Sequence, residues 1–260
     1  MSLPTIVHRS ARLPNGLEIQ AEVDANAHTT AVGFFVRTGA RDEPTELMGV
    51  SHFLEHMLFK GSEKRRAEDV NRDFDEAGAS QNAFTTAELT AYHAHVLPEH
   101  THEVLEILAD MMQPALRTED FDEEKGVILE EIAMYADQPF WVGFEAMMER
   151  LYAGHGLAHR VLGTKDSVTA LTRDQMAEYF RTRYTPDNAV LVAAGNIDFD
   201  QFVREATPGA MTSHTREEVD AILRANALVA LHSEEARRDG KIGRGRSKFW
   251  HVHHVIARRS

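Results

Sequence analysis

The stretch from Leu47 to Phe59 constrains this chain more than any other, because it carries a helical period and a metal-ligand spacing at once. Leu47, Val50, Leu54, Met57 and Leu58 fall within about a 100° arc at 3.6 residues per turn, and His52, Glu55, His56 and Phe59 fall on the other side. The segment is therefore expected to be a helix that buries one stripe and turns its polar group towards a cleft. Gly61, just past Lys60, supplies the expected stop. Two histidines four apart on a helix lie one above the other, so both imidazoles can reach one metal ion. A carboxylate beside the second histidine can take a proton from water without being a ligand. His52-Phe53-Leu54-Glu55-His56 is the usual zinc-peptidase motif in inverted order. The pattern alone is suggestive, and a third ligand has to be found.

Composition narrows the source of that ligand. The chain has 260 residues and no cysteine, so disulfides and thiolate metal sites are both excluded and a metal must be held by His, Asp or Glu. A net charge of -13 argues against a nucleic-acid partner for the chain as a whole. No apolar run approaches the length of a membrane span, and residues 1–16 lack the apolar core of a signal peptide. A soluble cytoplasmic protein with no membrane association is the simplest expectation, with a periplasmic place left open.

Around the central helix the chain alternates between two periods. Leu13-Pro14-Asn15-Gly16-Leu17 reads as a tight hairpin turn in which Asn-Gly supplies positive φ angles. Residues 30–37 read as a buried strand with Val32, Phe34 and Val36 on one face and Phe35 on the other. Residues 67–77 read as a helix closed by Gly78, and residues 80–85 and 88–97 as strands. His93 and His95 share a strand face and could bind metal, but strand histidines are more often hydrogen-bonded or solvated. Residues 99–113 and 118–135 read as helices, 140–152 as an aromatic-rich helix, 173–184 as a helix and 188–194 as a last buried strand. On the helix at 118–135, Glu124 and Glu131 lie seven apart, on one side and beside the stripe of Phe121, Ile128, Ile132 and Tyr135, whereas Glu123 and Glu130 point away. Glu124 and Glu131 are thus the inward acids, set against the blander alternative of a solvated acidic face. The expected fold is α+β, a mixed or antiparallel sheet covered by helices on one side.

The ordered series of motifs has a family likeness. His52 to Gly61, then Asn82-Ala83-Phe84-Thr85 with Glu88, Thr90 and Tyr92, then Glu124 to Ile132, resembles the pitrilysin and insulinase family of zinc peptidases. The pattern is closest to the mitochondrial processing peptidase β-subunit and its bacterial relatives. The likeness continues through Leu162-Gly163, Tyr184-Thr185-Pro186-Asp187-Asn188 and Gly195-Asn196, over about residues 9 to 200. It implies the two-layer helix/sheet domain of processing-peptidase-like metallohydrolases. It implies that His52, His56 and Glu131 bind Zn2+, that Glu55 is the general base, and that Glu124 is an accessory acid. Asn82 and Ala83 are then placed on an edge strand that takes an extended peptide, or a segment of an unfolded protein, as a further strand.

Family members that are active are built from repeated domains closed as a chamber, so the resemblance also implies a second homologous domain or subunit, or a homo-oligomer. The competing expectations are a non-catalytic assembly subunit of the same fold, or an inactive fragment that lacks its second domain. A small zinc lyase acting on ribosyl-homocysteine shares the inverted motif, but it looks to need a cysteine. A composition break near residue 206 divides the chain into residues 1–205, the peptidase domain, and residues 206–260, where 10 Lys and Arg stand against 6 Asp and Glu. The second part reads as a divergent basic extension: a helix opened by the capping box Thr215-Arg216-Glu217-Glu218, then a basic linker from Gly240 to Arg246. A native extension and a truncated or frame-disrupted gene would both produce such a tail. His251, His253 and His254 at its end are expected to be solvated surface, as short His-rich patches usually are.

Overall fold

The computed structural model describes residues 6–209. The capping box at Thr215, the basic linker and the three late histidines lie outside the described residues.

Six strands form one mixed sheet: β1 (Val7–Arg12), β2 (Glu18–Val23), β3 (Thr30–Val36), β4 (Ser80–Thr85), β5 (Thr90–Val96) and β6 (Ala189–Gly195). Their order is β1-β2-β6-β3-β5-β4, with β2 and β6 parallel and every other pair antiparallel. The α-helices among the described residues are α1 (Val50–Phe59), α2 (Ala67–Glu76), α3 (Thr101–Met111), α4 (Thr118–Ala136), α5 (Pro139–Leu151), α6 (Lys165–Ala170), α7 (Arg173–Arg183) and α8 (Phe199–Gly209). None is long and apolar enough to cross a membrane.

The alternation along β3 decides which face of the sheet the helices cover. Val32, Phe34 and Val36 join the main core with Phe53, Leu54, Phe74, Leu105, Leu108 and Phe202 from the helices. Phe35 points the other way, into a small second cluster with Ala91, Val190 and Val192. The same alternation runs through β5, where Tyr92, Ala94 and Val96 face the helices and Ala91 does not. The fold is therefore α+β, with two layers and one principal core.

Several local expectations change in detail. Only Gly16 takes a positive φ in the first hairpin (+96°), and Asn15 does not. The turn is a wider loop closed by Leu13 N–H to Leu17 O (2.8 Å) and Gly16 N–H to Leu13 O (2.9 Å), with Asn15 Oδ1 accepting from Leu17 N–H. The helix expected from Leu47 begins at Val50, because Thr45–Leu47 forms a separate 3-10 turn and Gly49 breaks the chain direction with φ +96°. Two short helices had no counterpart in the sequence reading. α6 is opened by a capping box between Thr164 and Ser167. α8 buries Phe199, Phe202, Val203 and Ala206, an i, i+3, i+4, i+7 set, against the core. The composition break near residue 206 falls inside α8.

α5 is unlike the others. Among the described residues it is the helix with no buried side chain, and Phe140, Trp141, Val142, Phe144, Met147 and Leu151 are all exposed.

Candidate metal centre

Two helices and the edge of the sheet build the site. α1 crosses α4, and the contact is a stacked pair of rings, Phe53 on Phe121, with centroids 4.8 Å apart and planes 7° from parallel. That contact brings the His52 and His56 side of α1 to the Glu124 and Glu131 side of α4. The acids on α4 sort as their spacing requires: Glu124 is buried, Glu131 half-buried, and Glu123 and Glu130 exposed.

One group of metal-ligating side chains exists among the described residues, and it is His52, His56 and Glu131, with one donor atom from each lying within 4.8 Å of the others. Glu131 Oε2 is 3.7 Å from the Nε2 of both histidines. Ligands of a tetrahedral zinc stand about 3.3 Å apart, so the two Glu131 distances need only a small contraction, and the group as a whole, within 4.8 Å, would close further on a metal. The two rings meet edge to face at 4.7 Å.

The protonation of the two histidines differs. Burial, with the charge of His56 added, pulls His52 down to about 3, so its ring is neutral. Burial also pulls His56 down, but the hydrogen bond and charge of Glu124, helped by Glu55 and Glu131, outweigh it and the net shift is upward. Glu124 Oε1 lies 2.8 Å from His56 Nδ1, and Glu124 Oε2 is 2.7 Å from Lys60 Nζ. Those two partners, His56 first, hold the Glu124 carboxyl below its ordinary range against its burial. Glu124 is thus placed behind a candidate ligand. A carboxylate on Nδ1 fixes the tautomer that presents Nε2 forward. His52 Nδ1, by contrast, is buried and has no hydrogen-bond partner among the described residues.

Glu55 stands between the site and the sheet edge. Thr85 Oγ1, at the end of β4, donates to Glu55 Oε2 at 2.6 Å. Burial pushes the Glu55 carboxyl up, against the pull of that hydrogen bond. Asn82 and Ala83 lie on the same strand, which is the edge of the sheet beyond β5. They point to opposite faces. Ala83 packs towards the helices, whereas Asn82 lines a groove of about 630 Å³ on the open face with Phe84, His93 and His95. The two residues share the free backbone edge and not a common side-chain pocket. His93 and His95 take no part in the metal-ligating group, and His95 Nε2 is 2.8 Å from Thr29 Oγ1.

Sequence reasoning gave no role to Thr85 or Lys60, although both fall in motifs that it quoted. Nor did it give one to Glu43, which lies in a polar loop with no periodic signal.

The family model described as insulinase, peptidase family M16, matches residues 19–165, and the model described as the peptidase M16 inactive domain matches residues 170–207. A Bacillus subtilis protein named "Uncharacterized zinc protease YmxG" is 38% identical over 192 residues, which is 74% of this chain and 47% of the relative. An Arabidopsis thaliana protein named "Probable mitochondrial-processing peptidase subunit beta, mitochondrial" is 32% identical over 198 residues, 76% of this chain and 37% of the relative. The crystal structure of a protease from Helicobacter pylori superposes with a TM-score of 0.76 at 22% identity, over 82% of this chain and 53% of that one. At that identity the match bears on the fold alone. The chain spans about half the length of the relatives that it matches, or less.

Proposed function

Since the chain belongs to the insulinase family, peptidase family M16, we propose that its described part is the zinc-binding half of a metalloendopeptidase that cleaves extended peptides. The observation that carries this reading is the convergence of His52, His56 and Glu131 beside a half-buried Glu55 that is not one of the three donors. Zinc bound there would supply a Lewis acid that polarises the scissile carbonyl and makes water acidic near neutral pH.

The chain's own groups do the rest. Glu55 takes the proton of the attacking water, and its raised affinity for protons suits it to pass that proton on to the leaving amine. Thr85 Oγ1 holds one carboxylate oxygen of Glu55 and leaves the other to the reaction. The free edge of β4 at Asn82 and Ala83 offers main-chain groups to a peptide lying as a further strand, so recognition needs little sequence information. Glu124 acts through His56. Replacing Glu124 by Ala is expected to weaken zinc binding about 10- to 100-fold, read by chelator competition.

The partner in this reading is a second homologous half. Its support is the half-length match to the relatives and the uncovered apolar side of α5, a surface of the kind that marks an interface. A non-catalytic assembly role is the competing reading, and the complete donor set speaks against it. The test is zinc content measured together with hydrolysis of a fluorogenic unstructured peptide, with and without a chelator. Zinc at one equivalent and chelator-sensitive hydrolysis is the expected result. A chain that holds no zinc would sink the catalytic reading, and zinc without hydrolysis would favour a half that needs its partner.

A further inference from the structure

We propose that Glu43 is a positioning residue for the metal centre, closing the N-terminus of α1 and so fixing His52 and His56 against Glu131. The inference rests on the reading that these three residues hold zinc.

A helix begins with N–H groups that have no partner inside it, and the residue before its first turn usually supplies an oxygen. α1 cannot be capped in that way. Its N-cap is Gly49 at φ +96°, and a Cβ there would lie 2.6 Å from the carbonyl oxygen of Leu162. The constraint is mutual, since a Cβ on Gly163 would collide with the carbonyl oxygen of Met48. Two stretches of bare backbone cross at this point, and neither has room for a capping side chain.

Glu43 fills the role from six residues upstream. Its Oε2 accepts from Gly49 N–H at 2.7 Å and its Oε1 from Ser51 N–H at 2.8 Å. The side chain is buried, at 4% exposure, so water cannot replace it freely. Ser51 Oγ then lies 3.0 Å from Tyr179 OH, which is 2.9 Å from Thr38 Oγ1. The first turn of α1 is in this way tied to α7 and to the loop that follows β3.

The next residue along is His52. Its Nδ1 has no partner among the described residues, whereas His56 is steadied by Glu124. What holds the His52 ring in place is packing and the backbone of that first turn. Removing Glu43 would leave the Gly49 and Ser51 N–H groups buried without acceptors, a cost that fraying or shifting the turn would relieve. His52 would move with it.

Burial pushes the Glu43 carboxyl up to about 8 against the pull of the two N–H groups, so the test uses substitutions that do not depend on its protonation. Zinc affinity by chelator competition, the visible absorption of the cobalt(II) form and the Tm would be measured on the full chain. The variants are Glu43→Leu, which keeps bulk but has no acceptor, Glu43→Gln, which keeps one, and Phe202→Leu, a core change in α8 where it packs on α3 and β2. Glu43→Leu is expected to weaken zinc binding about 10- to 100-fold and to alter the cobalt spectrum. Glu43→Gln should fall between it and the parent, and Phe202→Leu should lower Tm without either change. Parent-like affinity and spectrum in Glu43→Leu would overturn the proposal, as would a loss no larger than that of Phe202→Leu at equal Tm. If Glu43→Leu does not fold, Glu43→Gln decides in the same way, and parent-like binding there overturns it. A parent chain that binds no zinc defeats the metal-site reading itself, an outcome distinct from the others.

Discussion

Replacing Glu55 by Gln is expected to lower peptide hydrolysis by about 10²- to 10⁴-fold while zinc content stays at the parent level. Gln keeps the length of the side chain and can still accept from Thr85 Oγ1, so the local structure that Thr85 and Glu55 make should persist. What disappears is the carboxylate oxygen that takes a proton. Because Glu55 is not among the converging donors, the metal should not notice the change. Hydrolysis and metal content are to be measured on the same samples, with the second half supplied if the chain alone is silent. Hydrolysis at the parent rate would remove Glu55 as the base, and a parallel loss of zinc would make it a ligand instead.

Phe53→Ala is expected to destabilise the fold by about 3–5 kcal/mol, read by chemical denaturation of the metal-free chain. Phe53 is fully buried and its ring lies flat on Phe121, so truncation opens a cavity between α1 and α4. Against a typical total of about 5–15 kcal/mol that is a large share. The same two helices carry all three candidate ligands, so zinc binding should weaken as well. Phe53→Leu, which refills most of the space, should lose much less. A Phe53→Ala variant within about 1 kcal/mol of the parent would mean that the two helices close over the gap, and that the ring pair is not what sets their approach.

The candidate donors were legible in the sequence because each is encoded by spacing within one helix. His52 and His56 sit one turn apart on α1, and Glu124 and Glu131 two turns apart on the inner side of α4. The period of β3 likewise separated Val32, Phe34 and Val36 from Phe35, while the packing decided which set faces the helices. α8 had a readable apolar set as well, at Phe199, Phe202, Val203 and Ala206. The quoted motifs end at Asn196, just before that helix, whereas the family match runs on to residue 207 and covers most of it.

Other features could not be read because their cause lies far along the chain. Leu47 fits the apolar arc of α1, yet the helix starts at Val50 because the backbone at Gly163 crosses at Gly49. The crossing gives the Leu162-Gly163 pair of the motif series a physical reason. Asn82 and Ala83 are neighbours in sequence, but the pleat turns one to the open face and the other to the helices. The aromatic run of α5 has the look of a core helix and is exposed throughout the described residues.

By itself, then, the sequence determined most of the elements, the two-faced character of the central strands and helices, and the residue types able to hold a metal, since periodicity and ligand spacing are properties of neighbouring residues. Only the tertiary structure decided which acid bonds to which histidine, that Thr85 reaches Glu55, and that Glu43 closes the helix in place of Gly49. A hydrogen bond to a buried group forms with whatever donor or acceptor the packing brings within about 3 Å, and that choice is made by surfaces meeting across the chain.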